Sequence, residues 1–333
     1  MTARDTLFEP FLSGTSWANA ALSNLAGDAS NRRYLRVLDP QAGPAVLMDA
    51  PPEKDEDIRP FVAITQTLLN RGFSAPQIHA QNAEKGLLLL EDLGDDLYSR
   101  VATQAGVDEH ELYAAATDLL VQLALDPGPW TGVAPYDTST YLREAQLLTD
   151  WYLPGHGVAP SADTQAQFDN LITELCATTH ARATTLTLRD YHADNLIWLP
   201  GRAGLSRVGL LDYQDALVGV PAYDLVSLLE DARRDVSMEL AQAMISQFID
   251  GTGAQAEVFE RDYAILGAQR NMKILGIFVR LWLRDGKPNY LGLLDRVWGH
   301  LQRDLRHPAL ADLAKWVEAN VPAPNQAQVG GAR

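Results

Sequence analysis

The hydrophobic pattern of this 333-residue chain changes period once, near Asp96, and that change restricts the fold more than any other feature. Before it, apolar residues alternate. RRYLRVLD sets Arg33, Leu35 and Val37 on one face and Tyr34, Arg36 and Leu38 on the other, and AVLMDA follows a Gly-Pro turn, which predicts a hairpin. Ile58, Phe61, Val62, Thr65, Leu68 and Leu69 then recur at helical spacing, with Gly72 as the stop. SAPQIHAQ and GLLLLEDLG read as two further strands, the second buried on both faces. After Asp96 apolar residues fall three and four apart in ELYAAATDLLVQLAL, TQAQFDNLITELCATTHA, PAYDLVSLLEDAR and YAILGAQRNMKILGIFVRLWLRDG, the last stopped by Gly286. There is no repeat at any fixed period. The expectation is an α+β chain of two lobes: residues 1–93 a small sheet with one helix, 94–322 a larger helical lobe, and 323–333 a polar, Gly- and Pro-rich tail.

Composition narrows the class. A hydrophobic share of 47% with 21% charged residues is that of a soluble globular protein. The formal charge of −16 argues against nucleic acid and against an anionic membrane surface as partners. It suits a cationic substrate, and it suits plain solubility. The single cysteine, Cys176, excludes an intrachain disulfide and a cysteine-based zinc site. MTARDTLFEPFL lacks the basic-then-apolar pattern of a secretory signal, and ILGIFVRLWL is interrupted by Arg280 and too short to span a bilayer. A cytoplasmic protein is expected.

The chemistry concentrates in LRDYHADN, Leu188 to Asn195, which runs into the apolar triplet Leu196, Ile197 and Trp198. Fourteen residues past Trp198, a second apolar run, GLLDYQDA, ends in Asp212. Two short strands joined by a turn would hold Asn195 and Asp212 side by side, with Asp190 reaching in from the loop. One carboxylate and one amide oxygen make a hard, incomplete oxygen shell of the kind a phosphate-bound Mg2+ ion prefers. A separate aspartate nearby would accept a substrate hydroxyl proton. Read alone, Asp190 and Asn195 are a capped turn. Asp212 and Asp224 in order behind them reverse that reading.

TLRDYHADNLIWL followed by GLLDYQDALVGVPAYDLVSLL resembles the aminoglycoside phosphotransferase family and its choline-kinase-like relatives. GDASNRRYLRV, VLMDAPPEKDEDIRPF, LLLLEDLGDDLYS and QRNMKILGIFVRLWLRDGKPNYL are similar to the N-acetylmuramate/N-acetylglucosamine anomeric kinase branch, in order along nearly the whole chain. The resemblance implies a bilobal, protein-kinase-like fold and transfer of the ATP γ-phosphoryl group, with Mg2+, to the anomeric hydroxyl of an amino sugar in cell-wall sugar recycling. It makes Asp190 the catalytic aspartate, Asn195 and Asp212 the metal ligands, and Asp224 the brace of the catalytic loop. It puts Gly27, Asp28, Ser30, Arg32 and Arg33 in the turn over the ATP phosphates, and Glu91, Asp92 and Leu93 at the hinge that meets adenine.

Two departures stand out. The family often writes H-G-D up to the catalytic aspartate, where this chain has Leu188 and Arg189 before Asp190. The third strand usually supplies a phosphate-binding lysine, and AVLMDA offers Met48 and Asp49. Arg33, on the face with Leu35 and Val37, is expected to turn inward and replace it, with Arg32 second. Glu53, Glu56 and Asp57 read as a solvated helix start. His192 and Asp194 lack a third metal ligand, and His180 reads as a residue that satisfies a helix end or the catalytic loop. Glu144 and Trp151, with Tyr141 and Tyr152, have the mix of a sugar site or of plain core and surface. Arg270 and Lys273, three apart on one helix face, are expected either in structural salt bridges or against an anionic sugar. The rival acceptors are an aminoglycoside, choline or an amino alcohol. The rival from another class is a non-catalytic pseudokinase, suggested by the missing lysine.

Overall fold

The computed structural model describes residues 3–25, 31–325 and 329. By chain contact they divide into two compact units, residues 1–107 with 194–215, and residues 108–193 with 216–333. The α+β class expected from the pattern holds.

The first unit is built on a five-stranded antiparallel sheet in the order β1-β2-β3-β5-β4. Its strands are β1 (Ala21–Asn24), β2 (Arg33–Asp39), β3 (Gly43–Asp49), β4 (Ile78–Asn82) and β5 (Leu87–Glu91). The register pairs Arg33 with Asp49, Leu35 with Leu47 and Leu47 with Leu89, so these side chains share one face. That face is covered by Phe8 and Leu12 of a short helix, Phe8–Leu12, which packs on Leu35, Val37, Ala45, Leu47, Leu87 and Leu89. Met48, Leu88 and Leu90 point the other way and are equally buried. A strand buried on both faces has no polar side to show, which is why β5 reads as a continuous apolar run. The helix Arg59–Leu69 buries Phe61, Thr65 and Leu68 of the spacing read above and Ile64 beside them, and leaves Val62 and Leu69 half-buried.

A hairpin from late in the chain, β7 (Leu196–Trp198) and β8 (Val208–Leu210), belongs to this same unit. Gly209 bridges to Ser74 and Ile197 to Leu97, and the Trp198 N–H donates to the Asp96 carbonyl at 2.7 Å.

The second unit is helical apart from β6 (Thr185–Thr187) paired with β9 (Leu217–Gly219). Its axis is the helix Ala256–Leu283, buried almost all round by the helices Thr138–Ala145, Ala222–Leu229 and Leu294–Asp304 and by the turn Leu148–Tyr152. ILGIFVRLWL is part of this core helix. No described helix is long and apolar enough to cross a membrane. Side-chain caps start several helices: Asp137 accepts from the Thr140 N–H at 2.8 Å and Ser161 from the Thr164 N–H at 3.1 Å.

Gly276 sets how closely that axis meets its neighbour. A methyl group there would stand 2.1 Å from the Leu147 carbonyl oxygen. Backbone cannot yield as a side-chain tip does, so Gly276→Ala is expected to destabilise the chain by about 1–3 kcal/mol through overpacking. A drop of several degrees in melting temperature by calorimetry would register it, and an unchanged melting curve would contradict this close approach.

Candidate active site

Asp190 lies in the second unit, on the loop between β6 and the hairpin, and that loop is fastened at Leu188, Arg189, Tyr191 and Ala193. The Asp224 carboxylate accepts from the Leu188 N–H at 2.6 Å and from the Arg189 N–H at 2.8 Å. Ser227 donates to the Arg189 carbonyl at 3.3 Å, and Arg270 in turn donates to Ser227 Oγ at 2.8 Å. The Tyr191 hydroxyl reaches the Ala116 carbonyl at 2.9 Å, and Asp231 accepts from the Ala193 N–H at 3.2 Å. Asp224, Ser227 and Asp231 all come from the helix Ala222–Leu229 and the turn that ends it, which is buried along its whole length.

Fixing the loop this way carries costs. Arg189 has φ 71°, in the left-handed region, which costs a residue with a Cβ about 1–2 kcal/mol. Asp224 is desolvated: burial pushes its carboxyl up to about 7, Asp190 adds to the rise, and the two N–H donors and Arg270 pull the other way. His192, next in the loop, is buried against Asp231 and Arg233, and burial holds its imidazole below its usual value.

Beside Asp190 stands an ionic cluster. One Glu144 oxygen accepts from Arg189, and the other from the Tyr136 hydroxyl and from Lys273 Nζ, which lies 3.1 Å away. Burial works to raise the Glu144 carboxyl, but Lys273, Arg189 and Tyr136 outweigh it and the net displacement is downward. Burial works equally against the Lys273 ammonium, which Tyr223 and Glu144 nonetheless hold above its ordinary value. The Arg189 guanidinium sits 5.4 Å from the Tyr136 ring centroid, and Tyr136, Tyr141 and Tyr223 pack together behind it.

Asn195 and Asp212 lie in the first unit, at the open end of the β7–β8 hairpin. Leu196 pairs with Leu210, and the Leu211 N–H donates to the Asn195 carbonyl at 2.9 Å, so Leu211 stands across from Asn195 and Asp212 follows one residue on. Asp212 also holds a left-handed backbone, φ 55°. Tyr213 anchors it: the ring stacks on Phe61 at 5.1 Å and its hydroxyl bonds Thr65 Oγ1 at 2.7 Å, both from the helix Arg59–Leu69. An amide oxygen and a carboxylate on neighbouring strands are hard donors that fit Mg2+, which needs only one or two protein ligands beside phosphate oxygens. Among the described residues no group of three His, Cys, Asp or Glu is placed to hold a metal by itself.

At the nucleotide end, Gly27, Asp28 and Ser30 lie outside the described residues. Arg33 does not turn inward as expected. Its guanidinium bonds Asp49 at 2.6 Å and Asp5 at 3.0 Å, over Phe8, on the sheet face that the N-terminal helix covers. Alternation fixed its face correctly but could not reveal what covers that face. Arg32 instead bonds Glu56 at 2.8 Å, just ahead of the helix Arg59–Leu69, with both side chains largely buried. The solvated reading of Glu56 fails with it. Arg36 bonds Asp92 at 2.7 Å and Asp95 at 2.8 Å. Glu91 pairs with Arg202 of the hairpin segment at 2.5 Å, and Leu93 packs against Gly209 of β8.

At two places where alternatives stood open, the contacts are structural. Arg270 shares a helix face with Lys273, but it is only 5% exposed and serves Ser227, so it is not on an open basic stripe. Tyr141 and Tyr152 are fully buried core residues, and Trp151 is half-buried. His180 is exposed in the last turn of the helix Ala162–His180, as a helix-end residue should be.

The sequence pattern of the phosphotransferase enzyme family covers residues 21–259 of this chain. The N-acetylmuramate/N-acetylglucosamine kinase of Caulobacter vibrioides is 37% identical to it, over 96% of this chain and 97% of that one. The protein of the same description from Pseudomonas aeruginosa is 36% identical, over 89% and 87%. Among solved structures, a choline/ethanolamine kinase family protein from Mesorhizobium loti matches with a TM-score of 0.62 at 11% identity, over 95% of this chain and 99% of that one, a likeness of fold alone. This chain therefore belongs to the phosphotransferase enzyme family, in the branch that holds the N-acetylmuramate/N-acetylglucosamine kinases.

Proposed function

We propose that the protein is a kinase that transfers the γ-phosphoryl group of ATP to the anomeric hydroxyl of N-acetylmuramate and N-acetylglucosamine, in cytoplasmic recycling of cell-wall sugars. The observation that carries this reading is the clamped Asp190 loop, in a chain alike from end to end to kinases of that description. In this reading Asp190 accepts the proton of the anomeric hydroxyl as its oxygen attacks the γ-phosphorus and ADP leaves. The anomeric hydroxyl is more acidic than an ordinary alcohol, so one positioned carboxylate is an adequate base. Asn195 and Asp212 would hold Mg2+, which when bound neutralises charge on the phosphate oxygens. The rest of the work is positioning, which Asp224, Ser227 and Asp231 do for the loop.

For the nucleotide, Arg32 takes over the role first expected of Arg33. A guanidinium matches phosphate oxygens in a fork, and Glu56 orients it much as a helix glutamate orients a lysine. The backbone of residues 91–93 would meet the adenine.

Three outcomes follow. Asp190→Asn should lower kcat by roughly 10²–10⁴ with nucleotide binding near normal, whereas Asp212→Asn should weaken Mg2+-dependent nucleotide binding as well. Equal, mild effects of both in paired binding and turnover assays would sink the assignment.

Arg32→Ala should raise the KM for ATP more than Arg33→Ala does, and Arg33→Ala should lower thermal stability more than Arg32→Ala does. The opposite order would return Arg33 to the phosphates.

The last concerns pH. With its folded value raised to about 7, Asp224 takes up a proton as pH falls through that value, and the charge-assisted bonds to Leu188 and Arg189 weaken. Turnover should therefore fall below about pH 7. Stability should move the other way between there and the ordinary carboxylate range, because the folded chain binds that proton more tightly than the unfolded chain does. A pH–rate profile whose acid limb survives in Asp224→Asn would assign the limb to another group.

A further inference from the structure

The Ala193 end of the Asp190 loop is held by a turn that itself stands on two buried acids. The Ala193 N–H donates to Asp231, which also accepts from the Arg233 N–H at 2.8 Å, so the turn after the helix Ala222–Leu229 is wound around one carboxylate. The residue before it, Glu230, is 4% exposed and packs on Asp304 of the helix Leu294–Asp304, itself 6% exposed. The Asn271 amide nitrogen donates to both side chains, at 2.6 Å to Glu230 and 3.0 Å to Asp304. The two carboxyls also lie within bonding reach of each other. Asp304 is pressed on the backbone of the helix Ala256–Leu283: a methyl group at Gly267 would stand 2.7 Å from its Oδ1.

Two carboxylates in contact away from water repel, and an amide offers them hydrogen bonds but no charge. Arg303 and Arg270 face Glu230, but Arg270 is bonded to Ser227 and also faces Asp224. His300, on the helix with Asp304, is pushed down to about 4 by burial and by Arg303, so it is uncharged at neutral pH. Tyr263, facing both acids from the long helix, is held neutral by burial. Burial raises both acids above the ordinary carboxylate range, and Asn271 and Arg303 pull the other way without reversing it. A proton kept between the two oxygens turns the repulsion into a hydrogen bond.

We propose that Glu230 and Asp304 share one proton, and that this bonded pair, latched by Asn271, positions the turn after the helix Ala222–Leu229 and, through Asp231, the Ala193 end of the Asp190 loop. Both acids are positioning residues, and the proposal rests on the reading of Asp190 as the base. The unfolded chain does not keep that proton at neutral pH, so unfolding releases it. Stability contributed by the pair is therefore lost as pH rises from the ordinary carboxylate range towards its folded value.

The test combines calorimetric melting against pH with steady-state kinetics of the full chain on ATP, Mg2+ and each sugar. Asp304→Asn supplies an amide N–H in place of the shared proton and keeps the bond, whereas Asp304→Ala and Glu230→Ala break it from either side. Wild type should release one more proton on unfolding than Asp304→Asn, which shows as a steeper fall of melting temperature with rising pH. Assayed below their melting temperatures, both alanine variants should lose about 10–100-fold in kcat with a smaller change in the KM for ATP, as a displaced catalytic group would. Asp304→Asn should keep a kcat near that of wild type. Equal pH slopes in wild type and Asp304→Asn would leave no shared proton and overturn the inference. Alanine variants that melt lower but turn over at the wild-type rate would make the pair merely structural, and Asp304→Asn as slow as Asp304→Ala would deny the bond its role; either overturns it. Should the alanine variants fail to fold, the pH slopes and the kcat of Asp304→Asn still decide. If wild type phosphorylates neither sugar, the function proposed above fails and takes the positioning role with it; equal slopes in an active wild type strike this inference alone.

Discussion

One buried carboxylate holding two consecutive backbone N–H groups decides where Asp190 stands. Asp224 sits in the first turn of the helix Ala222–Leu229, where an acid complements the helix dipole. Its desolvation opposes ionisation and dominates, and the bonds to Leu188 and Arg189 work against it. The clamp forces Arg189 into the left-handed region and so aims the guanidinium at Glu144. The long helix Ala256–Leu283 supports the arrangement twice, through Arg270 on Ser227 and through Lys273 on Glu144. Removing Asp224 would thus disturb the loop, the strain and the ionic cluster together.

Asn195 and Asp212, the proposed metal ligands, follow a different logic. Asp212 owes its position to a two-stranded hairpin and to its neighbour Tyr213, whose ring and hydroxyl are both fixed on the helix Arg59–Leu69. Asp212 itself holds a left-handed backbone between the strand and that buried aromatic, and its carboxylate accepts from the Gln214 amide at 2.9 Å. The acidic character of the whole chain says little about either half. Charge is arranged locally, with cations paired at Arg32, Arg36, Arg189 and Lys273 to particular carboxylates.

Much of this was legible in the residues. The change of period near Asp96 gave the α+β class, and the stretches around Asp190, Asn195, Asp212 and Asp224 carried the resemblance to the family. Short or edge elements were not legible: the helix Phe8–Leu12 spans too few residues to show a period, and β1 is exposed throughout. Alternation correctly grouped Arg33 with Leu35 and Val37, yet which layer covers that face is a tertiary fact. Helical spacing grouped Arg270 with Lys273 and was silent on their different burial. The two cationic partners of Glu144 lie 45 and 129 residues away in the chain, a separation no local pattern carries. The return of residues 194–215 to the first unit is hidden for the same reason.

In the function proposed, a clamped aspartate activates the anomeric hydroxyl of an amino sugar. The most direct measurement is phosphorus and proton NMR of the product formed from N-acetylmuramate, ATP and Mg2+ by the purified chain. The account predicts a single phosphomonoester whose phosphorus couples to the anomeric proton, and no product from the corresponding alditol. Phosphate on any other hydroxyl, phosphorylation of the alditol, or faster turnover of an aminoglycoside or choline would contradict it.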